Sequence, residues 1–254
     1  MNKLFHSGRI LGIALLSAAV PLCMAANYQN NFDADQMDRH WKSSESSARA
    51  LPALATGELE QANGWLFYSA AASDLAAPVN ASYTLDGYRL RCDADWRIRV
   101  QAVVDAGRGE QRPLATGVNV RMAIGISVGD RVGTAPFARY AVGIAASEAG
   151  TFTELSFASR AAGRSDVTLS KLGRRRPIPD HELRALVISY DVRADTLTMS
   201  AGDITRTVRR FRAQLDRRGI ADDFIIDLSA DSTGISADRI AMFDNFSVTG
   251  AVSQ

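Results

Sequence analysis

The chain has 254 residues, 29 basic and 28 acidic side chains, and a formal net charge of +1. That balance excludes a general nucleic-acid binder, which needs a basic excess to meet phosphates. Two cysteines exclude a disulfide framework or a cysteine-rich metal cluster, and a chain of this size builds a core without one.

The first stretch is "MNKLFHSGRILGIALLSAAVPLCMAAN". Lys3 and Arg9 make a basic start, Ile10 to Val20 is an apolar run too short for a comfortable membrane span, and small residues follow. This order predicts a secretory signal peptide over residues 1–25, cleaved after Ala25, and a periplasmic or extracellular protein. Lipidation at Cys23 is the alternative, weakened by bulky Leu22 before it; a retained anchor is the other. Cleavage removes two basic residues and no acid, so the mature chain carries a net charge of −1 and keeps one cysteine, Cys92. Residues 26–254 are expected to form a single domain with no transmembrane segment, since neither a repeat nor a low-complexity linker interrupts them.

"NGWLFYSA" places Trp65 and Tyr68 close together. The clearest periodic signal follows in "YRLRCDADWRIRVQAV". Tyr88, Leu90, Cys92, Trp96, Ile98 and Val100 alternate with Arg89, Arg91, Asp93, Asp95, Arg97 and Arg99, the signature of half-buried antiparallel strand. Unbroken it would span roughly 50 Å at ~3.3 Å per residue, so a turn is expected near Asp93–Asp95. Cys92 falls on the apolar side as a small buried hydrophobe. "VRMAIGISV" sets Met122, Ile124, Ile126 and Val128 opposite Ala123, Gly125 and Ser127, and "RYAVGIA" repeats the pattern with Tyr140, Val142 and Ile144. "KLGRRRP" contributes Arg174, Arg175 and Arg176. "ALVISYDVRADTLTMSAGD" reads as strand, turn at Arg193–Asp195, strand. Val208, Phe211 and Leu215 mark a short helix, and "DDFIIDLSA" marks another strand. In the last run, "RIAMFDNFSVTG", strict alternation puts Asp244 on the buried face with Ile240, Met242, Phe246 and Val248. Many short strands with turn signals between them predict an all-β, two-sheet antiparallel sandwich.

Several of these stretches resemble the concanavalin A-like lectin/glucanase superfamily. "FDADQMDRHW", with Phe32, Met37, Asp38 and Trp41, resembles its opening; "LVISYDVRADTLTMS" its hairpin; "QLDRRGIADDFIIDLSADSTG" the segment before its end; and "FDNFSV" its closing strand. The resemblance implies a jelly roll with a curved sheet forming a shallow groove, and first and last strands side by side. It also implies what to look for and does not find it. The E-x-D-x-x-E strand of its glucanases, the metal loop of its legume-type lectins and the strand motifs of alginate lyases are all absent.

Other chemistries lack their residues. Two histidines after export, His40 and His181, are a poor basis for zinc. No G-x-S-x-G elbow, G-x-G-x-x-G turn or Walker loop occurs, so no nucleotide cofactor is expected. Asp93 and Asp95 read as members of ion pairs with Arg91 and Arg97 rather than a catalytic dyad.

Three functions stay open: glycan binding or attachment to the cell envelope without a catalytic motif, hydrolysis or lysis of glycans on the same fold, and structural assembly. For ligand binding the candidates are Trp65, Tyr68 and Tyr140 as stacking platforms and Arg174, Arg175 and Arg176 as anion contacts. Each has a plainer role, in the core for the aromatics and on a solvated loop for the arginines. Residues 160–218 hold 14 basic and 7 acidic side chains, which suits an acidic polysaccharide or an anionic envelope surface. A buried Asp244 needs an arginine, backbone N–H groups at a bulge, or a structural calcium shared with Asp33 or Asp35.

Overall fold

The structure, a computed structural model, describes residues 25–34, 36–43, 55–72, 79–104, 117–129, 134–164, 166, 168–171, 176–178, 182–202, 204–235 and 237–253. The expected signal peptide up to residue 24 lies outside these residues, as do Asp35, Arg174, Arg175 and His181. All strand pairings are antiparallel, and they sort into two sheets.

The first sheet is organised on the last strand. β17 (Ala237–Ser253) pairs on one flank with β4 (Trp65–Ala72) and then β1 (Ala25–Asn30). On its other flank lie β7 (Trp96–Val104) and then β6 (Tyr88–Arg91). β3 (Ala55–Ala62) extends the sheet beyond β4. β13 (Arg184–Asp191), β14 (Thr196–Ala201) and β15 (Ile204–Arg209) extend it beyond β7. The second sheet runs in the order β2 (Trp41–Ser43), β5 (Val79–Leu85), β16 (Asp223–Thr233), β8 (Asn119–Val128), β9 (Phe137–Ser147) and β10 (Gly150–Arg160). β11 (Thr168–Lys171) and β12 (Arg176–Ile178) follow one another along the far flank of β10. β6 also touches β16 through Leu90 and Phe224, joining the sheets at a corner.

The alternation expected from the sequence packs the core. Ile98, Val100, Ile188, Tyr190, Met199 and Val248 face inward from the first sheet, and Met122, Ile124, Val142, Leu155, Ile226 and Leu228 from the second. The first and last strands pair as expected, with Tyr28 opposite Val248. The long alternating run breaks where predicted, between β6 and β7. Asp93 forms an exposed ion pair with Arg91 at 3.5 Å, and Asp95 accepts the Val192 N–H. Cys92 is fully buried, and burial pushes its thiol up to about 12.

Two expectations are corrected. Val208 belongs to β15, and α1 (Phe211–Arg217) begins only after it. Asp195 sets that start: its carbonyl accepts the Phe211 N–H and its Oδ1 accepts the Arg212 N–H. Arg210 turns the chain into the helix with φ 53° and ψ 46°. The second correction concerns Asp244. The pairing of β17 with β7 shifts between Asp244 and Ser247, and Asn245 sits at φ 50°. This bulge inserts one residue, so Phe243 and Phe246 both face the core and Asp244 is only half-buried. Strict alternation fails because asparagine tolerates the left-handed conformation that a bulge requires.

Candidate functional site

The outer face of the second sheet carries a cleft of about 400 Å³. Its floor follows from the same alternation that fills the core. Residues that point away from the interior on β8, β9 and β10 are small: Ala123, Gly125, Ala141, Gly143, Ser156 and Ala158. Small side chains on three neighbouring strands leave a trough between taller neighbours. The walls are charged. Asp227, Ser229 and Asp231 stand in line on β16, Arg121 on β8, Arg139 on β9 and Glu154 on β10.

The charges are organised in opposed sets. Arg139 donates through Nε to Asp227 Oδ2 at 3.3 Å and through Nη2 to Asp227 Oδ1 at 2.5 Å, a fork on both carboxylate oxygens. The same Nη2 donates to Ser229 Oγ at 3.0 Å. Gly125 makes this geometry possible. A Cβ there would lie 2.7 Å from Asp227 Oδ2 and 2.8 Å from Arg139 Nη2, so only hydrogen fits beneath the pair. Arg121 faces Glu154 at 3.6 Å and is the register partner of Asp231. Burial pushes the Asp231 carboxyl above its usual range; Arg121 opposes the shift, Glu154 adds to it and Arg139 opposes it.

The aromatic candidates read from the sequence lie elsewhere. Tyr68 is wholly buried; its hydroxyl donates to the Val79 carbonyl at 2.9 Å and meets Ser232 Oγ at 3.0 Å, and burial pushes it up to about 12. Tyr140 fills the core, its ring 4.6 Å from Phe157 and 5.1 Å from Phe211. Trp65 is half-buried beside the Asn63–Gly64 turn of the β3–β4 hairpin. The three therefore share no surface: Tyr68 and Tyr140 sit at the even, inward-facing places of strands in opposite sheets. Arg176 pairs through its backbone with Thr153; its side chain and all of Arg174 and Arg175 lie outside the described residues.

Asp33 and Asp244 come near one another. Burial raises the Asp244 carboxyl, the Asn245 N–H opposes the rise at 2.6 Å, and the charge of Asp33 adds to it. Asn245 Nδ2 donates to Asp244 Oδ2 at 2.8 Å and to Gln101 Oε1 at 2.6 Å. Gln61 Nε2 donates to the carbonyl of Ala34, next to Asp33, while its buried Oε1 accepts no hydrogen bond among the described residues. Two carboxylates and an unpartnered amide oxygen are the hard oxygen donors calcium takes. No group of three or more acidic, histidine or cysteine side chains suited to a metal occurs among the described residues.

No family model and no curated protein sequence matches the chain. Solved structures do. The endo-β-1,3-glucanase from Pyrococcus furiosus superposes with a TM-score of 0.56 at 13% identity, covering 89% of this chain and 94% of that one. The laminarinase catalytic domain from Thermotoga petrophila RKU-1 gives 0.53 at 11% identity, over 89% and 97%. The winged bean acidic lectin, complexed with methyl-α-D-galactose, gives 0.50 at 9% identity, over 91% and 100%. The fold is the concanavalin A-like jelly roll. It is shared by glucanases and lectins alike, and identities this low carry fold and not activity.

The residues of the cleft left one readable sign in the sequence of this concanavalin A-like chain. Ala123, Gly125 and Ser127 stood out as a small-residue face opposite the core residues of β8. The acids of β16 are the odd residues of "DDFIIDLSADST", and Glu154 is an even residue of "TFTELSFASR". What brings them together is the order of strands, which no local pattern contains.

Proposed function

We propose that this protein binds glycans, in the cleft on the outer face of its second sheet. One observation carries the reading: a trough floored by small side chains and lined by both donors and acceptors. A sugar chain offers hydroxyls that donate and accept, and alternating arginines and carboxylates meet both needs. Because Arg139 is already forked on Asp227 and Arg121 faces Glu154, the cleft suits a polyhydroxyl ligand better than a strongly charged one. Its size falls within the ~300–1,000 Å³ of small-molecule sites. Glycan binding also agrees with a fold whose neighbours include a lectin complexed with a galactoside. Export of the protein belongs to the same proposal, supported by the basic, apolar and small-residue order of residues 1–25. N-terminal sequencing of exported material tests that part; a start at Met1 would refute it.

The test of binding is a glycan array followed by calorimetry on wild type and Ala123→Tyr. Ala123 faces the trough and not the core, so tyrosine there fills the site and leaves the fold intact. Loss of at least tenfold in affinity is expected. A glycan that binds both proteins equally would place the site elsewhere.

Hydrolysis is the second reading, favoured by Asp231, whose raised carboxyl near Glu154 is the group in the cleft best suited to hold a proton. Release of reducing ends from a bound glycan, abolished in Asp231→Asn, would establish it. Binding without turnover in wild type would set it aside.

A further inference from the structure

A second cavity, of about 330 Å³, lies around α1 and is lined by Arg209, Arg210, Gln214, Arg217 and Arg218. Four arginines and a glutamine line it, and no acidic residue does. Between Ile204 and Ile220 the chain holds six arginines and one acid, Asp216, which does not line the cavity. Among the described residues no carboxylate pairs with Arg209, Arg210, Arg217 or Arg218. Four like charges around one space repel one another, so their convergence has to be imposed by the fold.

The structure shows how it is imposed. Phe211 and Leu215 are buried and fix α1 against the core. Arg218 donates to Ser159 Oγ at 2.7 Å, and its guanidinium lies over the Phe157 ring at 5.3 Å. Arg217 Nε donates to the carbonyl of Ala213 at 3.1 Å, and Gln214 Nε2 to the carbonyl of Arg209 at 2.8 Å. These bonds use one N–H of each group, and the others have no hydrogen-bond partner among the described residues. Arg210 is the most telling member. It is a non-glycine residue in the left-handed region, at φ 53° and ψ 46°, and its side chain makes no capping bond. A strained backbone whose side chain has no partner among the described residues is the pattern of a residue kept for a ligand.

We propose that this cavity binds a tetrahedral oxyanion, the sulfate or phosphate ester of an anionic glycan. The arginines enter from the end of β15, from the start of α1 and from its last turn, and so approach from different sides. A tetrahedral ester presents three terminal oxygens to donors arriving from several directions, whereas a planar carboxylate matches a single guanidinium edge. The site and the cleft share Phe157, which lines the cleft and whose ring lies beneath Arg218. Arg218 contacts the inward-facing Ser159 of β10, while the cleft uses Glu154, Ser156 and Ala158 on the opposite face of that strand.

The experiment measures binding of dextran sulfate, inorganic phosphate, polygalacturonate and neutral dextran by calorimetry, at low and high salt. Wild type should bind the sulfated polymer or phosphate, ignore neutral dextran and lose affinity as salt screens the charges. Which of the two anions binds more tightly identifies the ester. Arg209→Ala with Arg217→Ala should weaken binding at least tenfold, while Arg206→Ala, an exposed arginine outside the cavity, should not. Arg210→Gly keeps the test clear of misfolding: it should raise the melting temperature by removing the strain and lower anion affinity in the same protein. Absence of binding to every anion, preference for the carboxylate polymer, or equal loss in Arg206→Ala would each overturn the proposal.

Discussion

The cleft and the arginine cavity are built from the same charged residue types to opposite ends. In the cleft each arginine meets a carboxylate, Arg139 forked on Asp227 and Arg121 facing Glu154. In the cavity the arginines meet neutral atoms, a serine hydroxyl, a ring face and one backbone carbonyl. The difference follows from position. The cleft lies on a sheet face, where neighbouring strands place opposite charges side by side in a fixed register. The cavity lies where an edge strand meets a helix of about two turns, and there five of the ten residues 209–218 are arginine. A surface with its own charges neutralised selects by shape and hydroxyl contacts; a surface with unneutralised charge selects by charge.

Breaking the cleft's strongest pair should have the largest effect on the fold. Asp227→Ala strands Arg139 over the floor of the cleft. A fully buried pair costs about 3–5 kcal/mol to break in this way. The Arg139 side chain stays 29% exposed, so about 2 kcal/mol is expected. The matching change in the cavity, Arg217→Ala, should stay within about 0.5 kcal/mol, as surface changes do. Urea titrations of both variants check the contrast; equal losses would mean that the cavity arginines are also structural.

Gly125→Ala is a smaller version of the same break. The added methyl must displace either the Asp227 carboxylate or the Arg139 fork, both far ends of side chains, so about 1 kcal/mol is expected, the low end of overpacking costs. A stability equal to wild type would show that the pair moves aside freely and does not shape the cleft.

These predictions rest on features of unequal visibility in the sequence. The sandwich was legible because period-two alternation is local: Ile98, Val100 and Ala102 face inward whatever strand lies beside them. The turns near Asp93–Asp95 and at Arg193–Asp195 were legible because the apolar alternation breaks there. The cleft was not, because Asp227 and Arg139 are 88 residues apart and meet only through the order β16–β8–β9. The aromatic candidates misled for a related reason. A tyrosine at an inward-facing place on a strand carries the same letter as one on a surface, and burial decided against Tyr68 and Tyr140. Asp244 marks the third kind of limit. One inserted residue at Asn245 reverses the faces of the strand, and nothing in "FDNFSV" announces that insertion apart from an asparagine that accepts it.

The clasp at Asp244 offers a third region, intermediate between the two. Its carboxylate is held by hydrogen bonds from Asn245 and faces the like charge of Asp33. Asp244→Ala should lower stability by about 1 kcal/mol, the contribution of hydrogen bonds of this kind, and by the same amount in calcium and in chelator. Melts in both conditions measure this. Stabilisation of wild type by calcium, lost in the variant, would instead assign Asp33 and Asp244 to a bound cation.

The finest discrimination is by pH and salt. Burial raises the Asp231 carboxyl above its ordinary value of 3.8. A carboxyl raised in the folded state is more favourable there when protonated, so it supports the fold below the ordinary value and loses that support as pH rises through the raised one. At neutral pH the charged Asp231 therefore weakens the fold. Asp231→Asn should be slightly more stable than wild type at neutral pH, and the advantage should fade as pH falls toward 3.8, where both proteins carry a neutral side chain. Arg210→Gly should also be more stable, with an advantage that stays constant through that window, because its origin is backbone strain and arginine does not titrate there. Salt should separate the pair again. It relieves the repulsion among the cavity arginines and so stabilises wild type toward its Arg217→Ala variant, while the forked Arg139–Asp227 pair is screened little because Asp227 is buried. An Asp231→Asn advantage that persists unchanged at acid pH would show that the side chain's shape, and not its charge, opposes the fold, and would remove the main physical support for Asp231 as a proton-holding group of the cleft.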